Sequence, residues 1–304
     1  MLFDRFASRA TVVAWVIAVL PTAACAQQTD TTVSVRPNAR IQIQNFAGSV
    51  TVRAWDRNAV RVVASKTRRD EVRVRERDGS LAITTVSKTG VPAPLDYEIS
   101  VPAKASLDIG GTYTDITIEG MRGSVSATTV QGAVSLTGGD GVISLKSVEG
   151  SVTVRDATGR IEVNGVNKGL LLRNVSGNIA AETVNGSIVL DDIQSADVEA
   201  VTVNGRVTYE GTIRDGGTYR FGTHNGAIIV SIPERANATV AAVTYQGTFS
   251  SRFALPSGAA QETTGPRRRA NFAFGNGSAR IEAESFQGSI MLARPGDVTA
   301  RPKE

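Results

Sequence analysis

The chain is nearly without thiol and imidazole. Its 304 residues hold one cysteine, Cys25, and one histidine, His224. A disulfide framework is therefore excluded. Zinc sites of the cysteine and histidine type lack their ligands. A Ser-His-Asp or Cys-His centre would have to use His224, and no G-x-S-x-G turn accompanies it. His224 lies in Thr223-His224-Asn225-Gly226 and reads as a solvated turn residue. Long apolar runs are also missing. Val12–Leu20 is about half the ~20 residues that cross a bilayer, and nothing later reads as a transmembrane helix. Charge of one sign is missing too. Taking Asp4, Arg5 and Arg9 from 33 basic and 29 acidic residues leaves a surplus of three. That surplus does not imply a nucleic-acid groove.

The first residues carry a targeting pattern. Arg5 and Arg9 precede the apolar run Val12–Leu20, and the small residues Ala23, Ala24 and Ala26 follow. A charged start, an apolar middle and a small-x-small exit predict a secretory signal peptide over residues 1–26, cut after Ala26. Thr22-Ala23-Ala24-Cys25 offers a second reading, a lipoprotein box in which Cys25 is lipidated. The sequence thus predicts an exported protein, in the periplasm, on the outer surface or secreted. It must be held together by core burial and backbone pairing.

What the chain does have is a beat. Val130, Val148, Val166, Val184 and Val203 open the segments VQG, VEG, VNKG, VNG and VNG, at steps of 18, 18, 18 and 19. A fixed period near twenty is the mark of a solenoid, in which each repeat is one coil laid on the last. Between these corners run short alternating segments. Val152 and Val154 point one way, and Ser151, Thr153 and Arg155 the other; Ile161 and Val163 oppose Arg160 and Glu162. Period two predicts half-buried strands, and valine, isoleucine and threonine suit a pleated surface. Two such strands fit in each coil. Glycine suits the corners because it supplies positive φ or close backbone approach. Asn185, Asn204 and Asn225 before it fit the left-handed region that asparagine tolerates. In the one irregular unit, Ser195-Ala196-Asp197-Val198-Glu199, Ala196 is expected in the glycine slot.

Before the beat begins, RIQIQNF, GSVTVRAW, AVRVVASK, EVRVRER, SLAITTV and LDYEISV keep the alternation without the period. They read as an antiparallel cap that shields the first coil, with Asp78-Gly79 as a hairpin turn. The expected fold is all-β, a single-domain β-solenoid of ~18–20-residue coils with that cap at its N-terminal end. Its parts are the signal peptide 1–26, the cap 27–110, regular coils 111–235, less regular coils 236–294 and a polar tail 295–304.

Three stretches carry a resemblance. They are Tyr97-Glu98-Ile99-Ser100-Val101-Pro102, the train of G-x-I/V-x-V units, and the ending Gly275–Ile281 with Phe286-Gln287-Gly288-Ser289-Ile290. In this order they resemble the putative-adhesin family of bacterial exported β-strand-repeat proteins. The resemblance covers most of the chain after about residue 40. It implies a surface or adhesion role and brings no catalytic residues.

Charged clusters remain to be weighed. Eighteen-residue stacking puts Arg155, Arg173 and Asp191 in one outward column, with Glu210 nineteen further on, which reads as a charge ladder. A polysaccharide-active β-helix enzyme, the competing reading, would need a groove of acids and bases near Asp191, Asp192 and Arg173, with Asp197 close by in sequence; self-assembly into a β-helix scaffold is a third. Arg267-Arg268-Arg269 is a basic run in a polar loop, able to meet anionic lipid or glycan. Thr137-Gly138-Gly139-Asp140-Gly141 resembles a calcium coil, but the series fails at Glu149 and Thr158. The sequence therefore predicts a non-enzymatic envelope protein with neither cofactor nor metal. Arg155, Arg173, Asp191 and Arg267–Arg269 are its candidate surface residues, and an envelope glycan or protein is the expected partner at the solenoid face.

Overall fold

The computed structural model describes residues 28–65, 70–77, 79–88, 90–256, 258–262 and 267–297. The expected signal peptide with Cys25, Asp78 of the expected turn and the end of the polar tail lie outside the described residues. Everything described is strand or turn. Five strands are long: β2 (Arg40–Trp55), β7 (Ser106–Glu119), β11 (Val152–Gly165), β12 (Leu170–Asn185) and β13 (Ile188–Asn204). Each turns a corner, so that its two halves serve two layers; in β2, β7, β11 and β13 the halves also have different partners on one side, whereas both halves of β12 lie between β11 and β13.

One layer runs from β4 (Asp70–Arg77) and β5 (Ser80–Ser87) through the first halves of β2 and β7 to β8 (Val125–Gln131) and β10 (Asp140–Ser147). It continues through the second halves of β11, β12 and β13 to β15 (Thr218–Asn225) and β21 (Ala279–Gln287). It closes with β17 (Ala238–Thr244), β20 (Arg268–Phe274) and β19 (Ala260–Glu262). The other layer begins with β1 (Gln28–Ser34), β3 (Ala59–Ser65) and β6 (Leu95–Pro102). Then come the second halves of β2 and β7, β9 (Val134–Thr137) and the first halves of β11, β12 and β13. Last are β14 (Val207–Gly211), β16 (Ile228–Ser231), β22 (Ile290–Ala293) and β18 (Phe249–Ser251).

The central pairings are parallel and in register at the expected step. Val152 lies beside Leu170, Leu170 beside Ile188, and Ile188 beside Val207. Ile161, Ile179 and Val198 form a matching column in the other layer. These columns point inward and are buried together with their neighbours in one continuous core. A coil has open ends, so its aliphatic side chains leave water only when coils above and below cover them. The nineteenth residue of the coil 188–207 enters as a bulge, where the register shifts between Ser176 and Asn178. Ser195 and Ala196 together stand opposite Gly177 there, so the expected glycine slot of Ala196 is shared with Ser195. The buried Ser195 hydroxyl donates to the Gly177 carbonyl and accepts from the Asp197 N–H (3.1 Å), a polar arrangement that alanine could not supply.

Both ends depart from sequential stacking. RIQIQNF and GSVTVRAW are not cap strands but the two sides of one coil, β2. It lies between β7 on one side and β5 and β6 on the other, parallel to all three. Their partners in β7 lie 66 residues on (Arg40 beside Ser106), so no short period announces them. At the opposite end β21 and β22 lie between β15 and β16 and the earlier strands β17 and β18. Antiparallel pairing is kept for the outside: β1 with β3, β3 with β6, and β4 with β5 at one end, and β17 with β20 and β20 with β19 at the other. Three of the four outermost strands are charged (DEVRVRER in β4) or only three residues long (β18 and β19), which blunts edge-to-edge pairing; the fourth, β1, is polar (QTDTTVS).

Candidate contact surface

One corner of the coil is built from a four-residue motif, hydroxyl-x-amide-glycine. It reads TVQG at 129–132, TVNG at 183–186 and 202–205, THNG at 223–226, TYQG at 244–247 and SFQG at 285–288. Each position stacks on its counterpart, and each stack has its own chemistry.

The hydroxyls are buried and close the corner from inside. Thr202 Oγ1 donates to the Gly186 carbonyl (3.0 Å), Thr223 Oγ1 to Gly205 (3.0 Å), Ser285 Oγ to Gly226 (3.0 Å) and Thr244 Oγ1 to Gly288 (2.8 Å). The glycines are required by close approach. A Cβ on Gly205 would lie 2.0 Å from the Gly186 oxygen, and one on Gly150 would lie 1.7 Å from that of Gly132. The amides form a ladder. Asn225 donates to Asn204 (2.7 Å), Asn204 to Asn185 (2.8 Å), Asn185 to Asn167 (3.1 Å) and Asn167 to the Glu149 carboxylate (2.6 Å). These asparagines do not occupy the left-handed region. That conformation falls instead on Asp156, Asn174 and Asp192 (φ 55°, 51° and 52°), stacked at the opposite bend, where Asn174 donates to Asp156 (2.6 Å).

The remaining position points outward. In spatial order it carries Val130, Val148, Val166, Val184, Val203, His224, Phe286 and Tyr245. Val130, Val184, Val203 and Phe286 keep between 37% and 47% of their surface exposed. Seven steps of ~4.8 Å make this a ridge roughly 34 Å long. At its far end the His224 and Phe286 rings stack (4.7 Å between centroids, 5° between planes), Tyr245 follows at 5.4 Å, and Arg267 lies over the Tyr245 ring at 5.4 Å. His224 is exposed as expected, but it lies near the end of β15 rather than in a turn. The ring beneath it is 62 residues away in sequence, which is why the stack is not visible there.

The charged candidates fall elsewhere. Arg155, Arg173 and Asp191 form the expected outward column. Arg173 Nε donates to Asp191 Oδ2 (2.8 Å), while Arg155 has no acid partner among the described residues. Asp192 sits at the left-handed bend, and Asp197 is exposed beside the Ser195 bulge, so the acids are spread along the coil rather than gathered. Glu210 Oε1 accepts from the Gly296 N–H (2.9 Å). The run Arg267–Arg269 is divided. Arg267 covers Tyr245, Arg268 donates to the Gly247 carbonyl, and Arg269 is exposed on β20. Such surface pairs contribute ~0–1 kcal/mol each.

The strongest titration shifts belong to the core. Burial pushes the phenols of Tyr209, Tyr219 and Tyr97 above the ordinary tyrosine range. Tyr209 donates to the Thr212 carbonyl (2.7 Å) and Tyr219 to Ser195 (2.8 Å), so both hold the loop after β14 against the bulge. Among the described residues no three histidine, cysteine or acidic side chains gather to hold a metal, and no helix is long and apolar enough to cross a membrane.

Comparison with known proteins gives the family. No curated protein matches the chain. Three solved structures are similar at low identity. A putative cell adhesion protein from Clostridium sporogenes has 11% identity and a TM-score of 0.25, with 88% of this chain and 100% of that chain covered. A putative adhesin from Parabacteroides distasonis has 11% identity and a TM-score of 0.39, covering 88% and 98%. A putative adhesin from Bacteroides fragilis has 10% identity and a TM-score of 0.34, covering 88% and 97%. The family model described as Toastrack DUF4097 matches residues 38–293, which is most of the chain and nearly all of the stacked coils, and the protein belongs to that family.

Proposed function

We propose that the protein is an exported, non-enzymatic contact protein of the cell envelope, adhesin-like, which binds an envelope glycan or protein along its stacked surface. The observation that carries the reading is the corner ridge. Eight successive coils each spend one outward position on an apolar or ring side chain that stays half-buried or exposed rather than entering the core. A continuous exposed apolar strip of this length, edged by amides, is the composition of an interaction surface rather than of a reaction centre. Export rests on the Arg5–Ala26 pattern, and mass spectrometry of the mature N-terminus tests it: Gln27 is expected first, or a lipidated Cys25.

The contact reading is tested with Val184→Asp together with Val203→Asp, checked for unchanged circular dichroism and melting temperature. Sedimentation with purified envelope fractions should carry down the mature protein and leave the variant in solution. Equal recovery of the two overturns the ridge as contact surface. Uronic-acid polymers provide the second assay. Cleavage that disappears in Asp191→Asn with Asp192→Asn would replace this function with the polysaccharide-active one.

A further inference from the structure

Away from the ridge, a cleft of about 260 Å³ opens where the turns after β2, β6 and β7 stack. Trp55 and Pro102 supply apolar wall; Asp56, Arg57, Lys104 and Arg122 supply charge. The wall is held in place. Trp55 Nε1 donates to the Ala59 carbonyl (2.8 Å), and the Arg57 guanidinium lies over the ring at 5.3 Å. Arg122 is fixed from its backbone, whose N–H donates to the Ala103 carbonyl (2.6 Å).

The charge on this cleft differs from that on the sheets. There, many arginines stand beside acids in neighbouring coils: Arg40 with Asp108, Arg53 with Glu119, Arg173 with Asp191, and Arg220 with Glu199 and Glu282; Arg155 lacks such a partner among the described residues but stands singly on an outward column. Arg57, Lys104, Arg122 and Asp56 enter no ion pair among the described residues. Three cations against one acid leave two positive charges on one concave surface, an arrangement that repels itself until an anion enters. A phosphate monoester carries about −1.5 to −2 charge near neutral pH and three acceptor oxygens. Guanidinium groups bind such oxygens in pairs, and lysine adds a point charge.

We propose that this cleft binds a phosphate monoester, with the cations of Arg57, Lys104 and Arg122 on the phosphate and the carbon skeleton against Trp55 and Pro102. The site is independent of the ridge, and either can fail without the other. The test is calorimetric titration of the mature chain at low ionic strength with glucose 6-phosphate, inorganic phosphate and galacturonate, and flotation with vesicles containing phosphatidic acid. Saturable binding of glucose 6-phosphate is expected, weakened at least tenfold in Arg57→Gln and in Lys104→Gln with Arg122→Gln. It should be unchanged in Arg160→Gln, which removes an exposed arginine from β11, away from the cleft. Inorganic phosphate binding as tightly supports the site and identifies the free ion as sufficient. Flotation without binding of the soluble phosphates supports it with a lipid headgroup as the source. Galacturonate binding as well as the phosphates, binding that survives the cleft substitutions in variants of unchanged melting temperature, or no binding by any probe overturns it.

Discussion

Asn167 donates its side-chain amide to the carboxylate of Glu149 across 2.6 Å, and the three asparagines stacked beyond it donate in the same direction. A carboxylate can only accept, so Glu149 sets the polarity of the whole ladder. The other end is Asn225, whose Oδ1 is buried without a partner among the described residues. Glu149→Gln keeps an acceptor and should shift stability by less than ~0.5 kcal/mol. Glu149→Lys offers Asn167 only donors and should cost about 1 kcal/mol. Urea midpoints of the two variants measured side by side check the difference, and equal midpoints would show the ladder to be passive.

The glycine column makes a sharper prediction. Gly205→Ala sets a methyl against the Gly186 oxygen, and the nearest atoms are all backbone of the neighbouring coil, which cannot swing aside as a side chain could. It should cost about 2–4 kcal/mol, as overpacking does at its severe end. Gly216→Ala tests conformation alone, since φ is +72° there and no atom lies within 4 Å of the added carbon; about 1 kcal/mol is expected. Thr202→Val removes the donor to the Gly186 carbonyl and should cost ~1–3 kcal/mol. A thermal melt of each variant ranks them, and a larger loss from Gly216→Ala than from Gly205→Ala would contradict the close-approach argument.

Alternation can be tested at two adjacent positions. Val152 is fully buried between coils, whereas Thr153 faces outward and is half-buried. Val152→Asp should abolish folding or cost more than ~4 kcal/mol, because it leaves an unpaired charge in the core. Thr153→Asp should cost under ~1 kcal/mol. Soluble yield and circular dichroism of the pair decide it.

High pH should unfold the protein through its phenols. Tyr97, Tyr209 and Tyr219 have folded pKa values raised above the unfolded value near 10. Their contribution is therefore complete below about pH 10 and is lost as pH climbs above it, because the unfolded chain releases protons that the folded one retains. Urea midpoints should stay level from pH 7 to 9 and fall beyond 10. Tyr209→Phe should be less stable at pH 7, having lost its bond to Thr212, yet decline less steeply above pH 10. A decline as steep as that of the parent would remove Tyr209 from the set.

The parts of this molecule that repeat locally could be read from residues alone. Val152, Leu170 and Ile188 stand eighteen apart in sequence and adjacent in space, so period and contact coincide. Arg173 and Asp191 were placed together for the same reason. Elements that pair over long distances could not be read this way. Arg40 finds Ser106, and Thr218 finds Arg280, through coils that return from elsewhere in the chain. The corner was half legible. Glycine was expected there for positive φ or close approach, and at Gly205 and Gly150 it is the approach that matters, which depends on a carbonyl one coil away. Asn185 looked like a conformational residue and is a rung of hydrogen bonds. The valine beat itself marked the ridge, although alternation does not say whether a corner valine turns in or out. The cleft at Trp55 had no signal, because Arg57, Lys104 and Arg122 belong to three turns that only stacking brings together.

The placement of β2 and of β21 with β22 one coil in from either end limits how this architecture can change size. A rod stacked strictly in chain order could grow by copying its last unit. Here the last coil, β21 with β22, has threaded back beneath β17 and β18, so a copy added after it has no free seat. A whole coil is inserted or removed with least disturbance in the interior, between β7 and β15, where consecutive coils of the chain pair directly with one another.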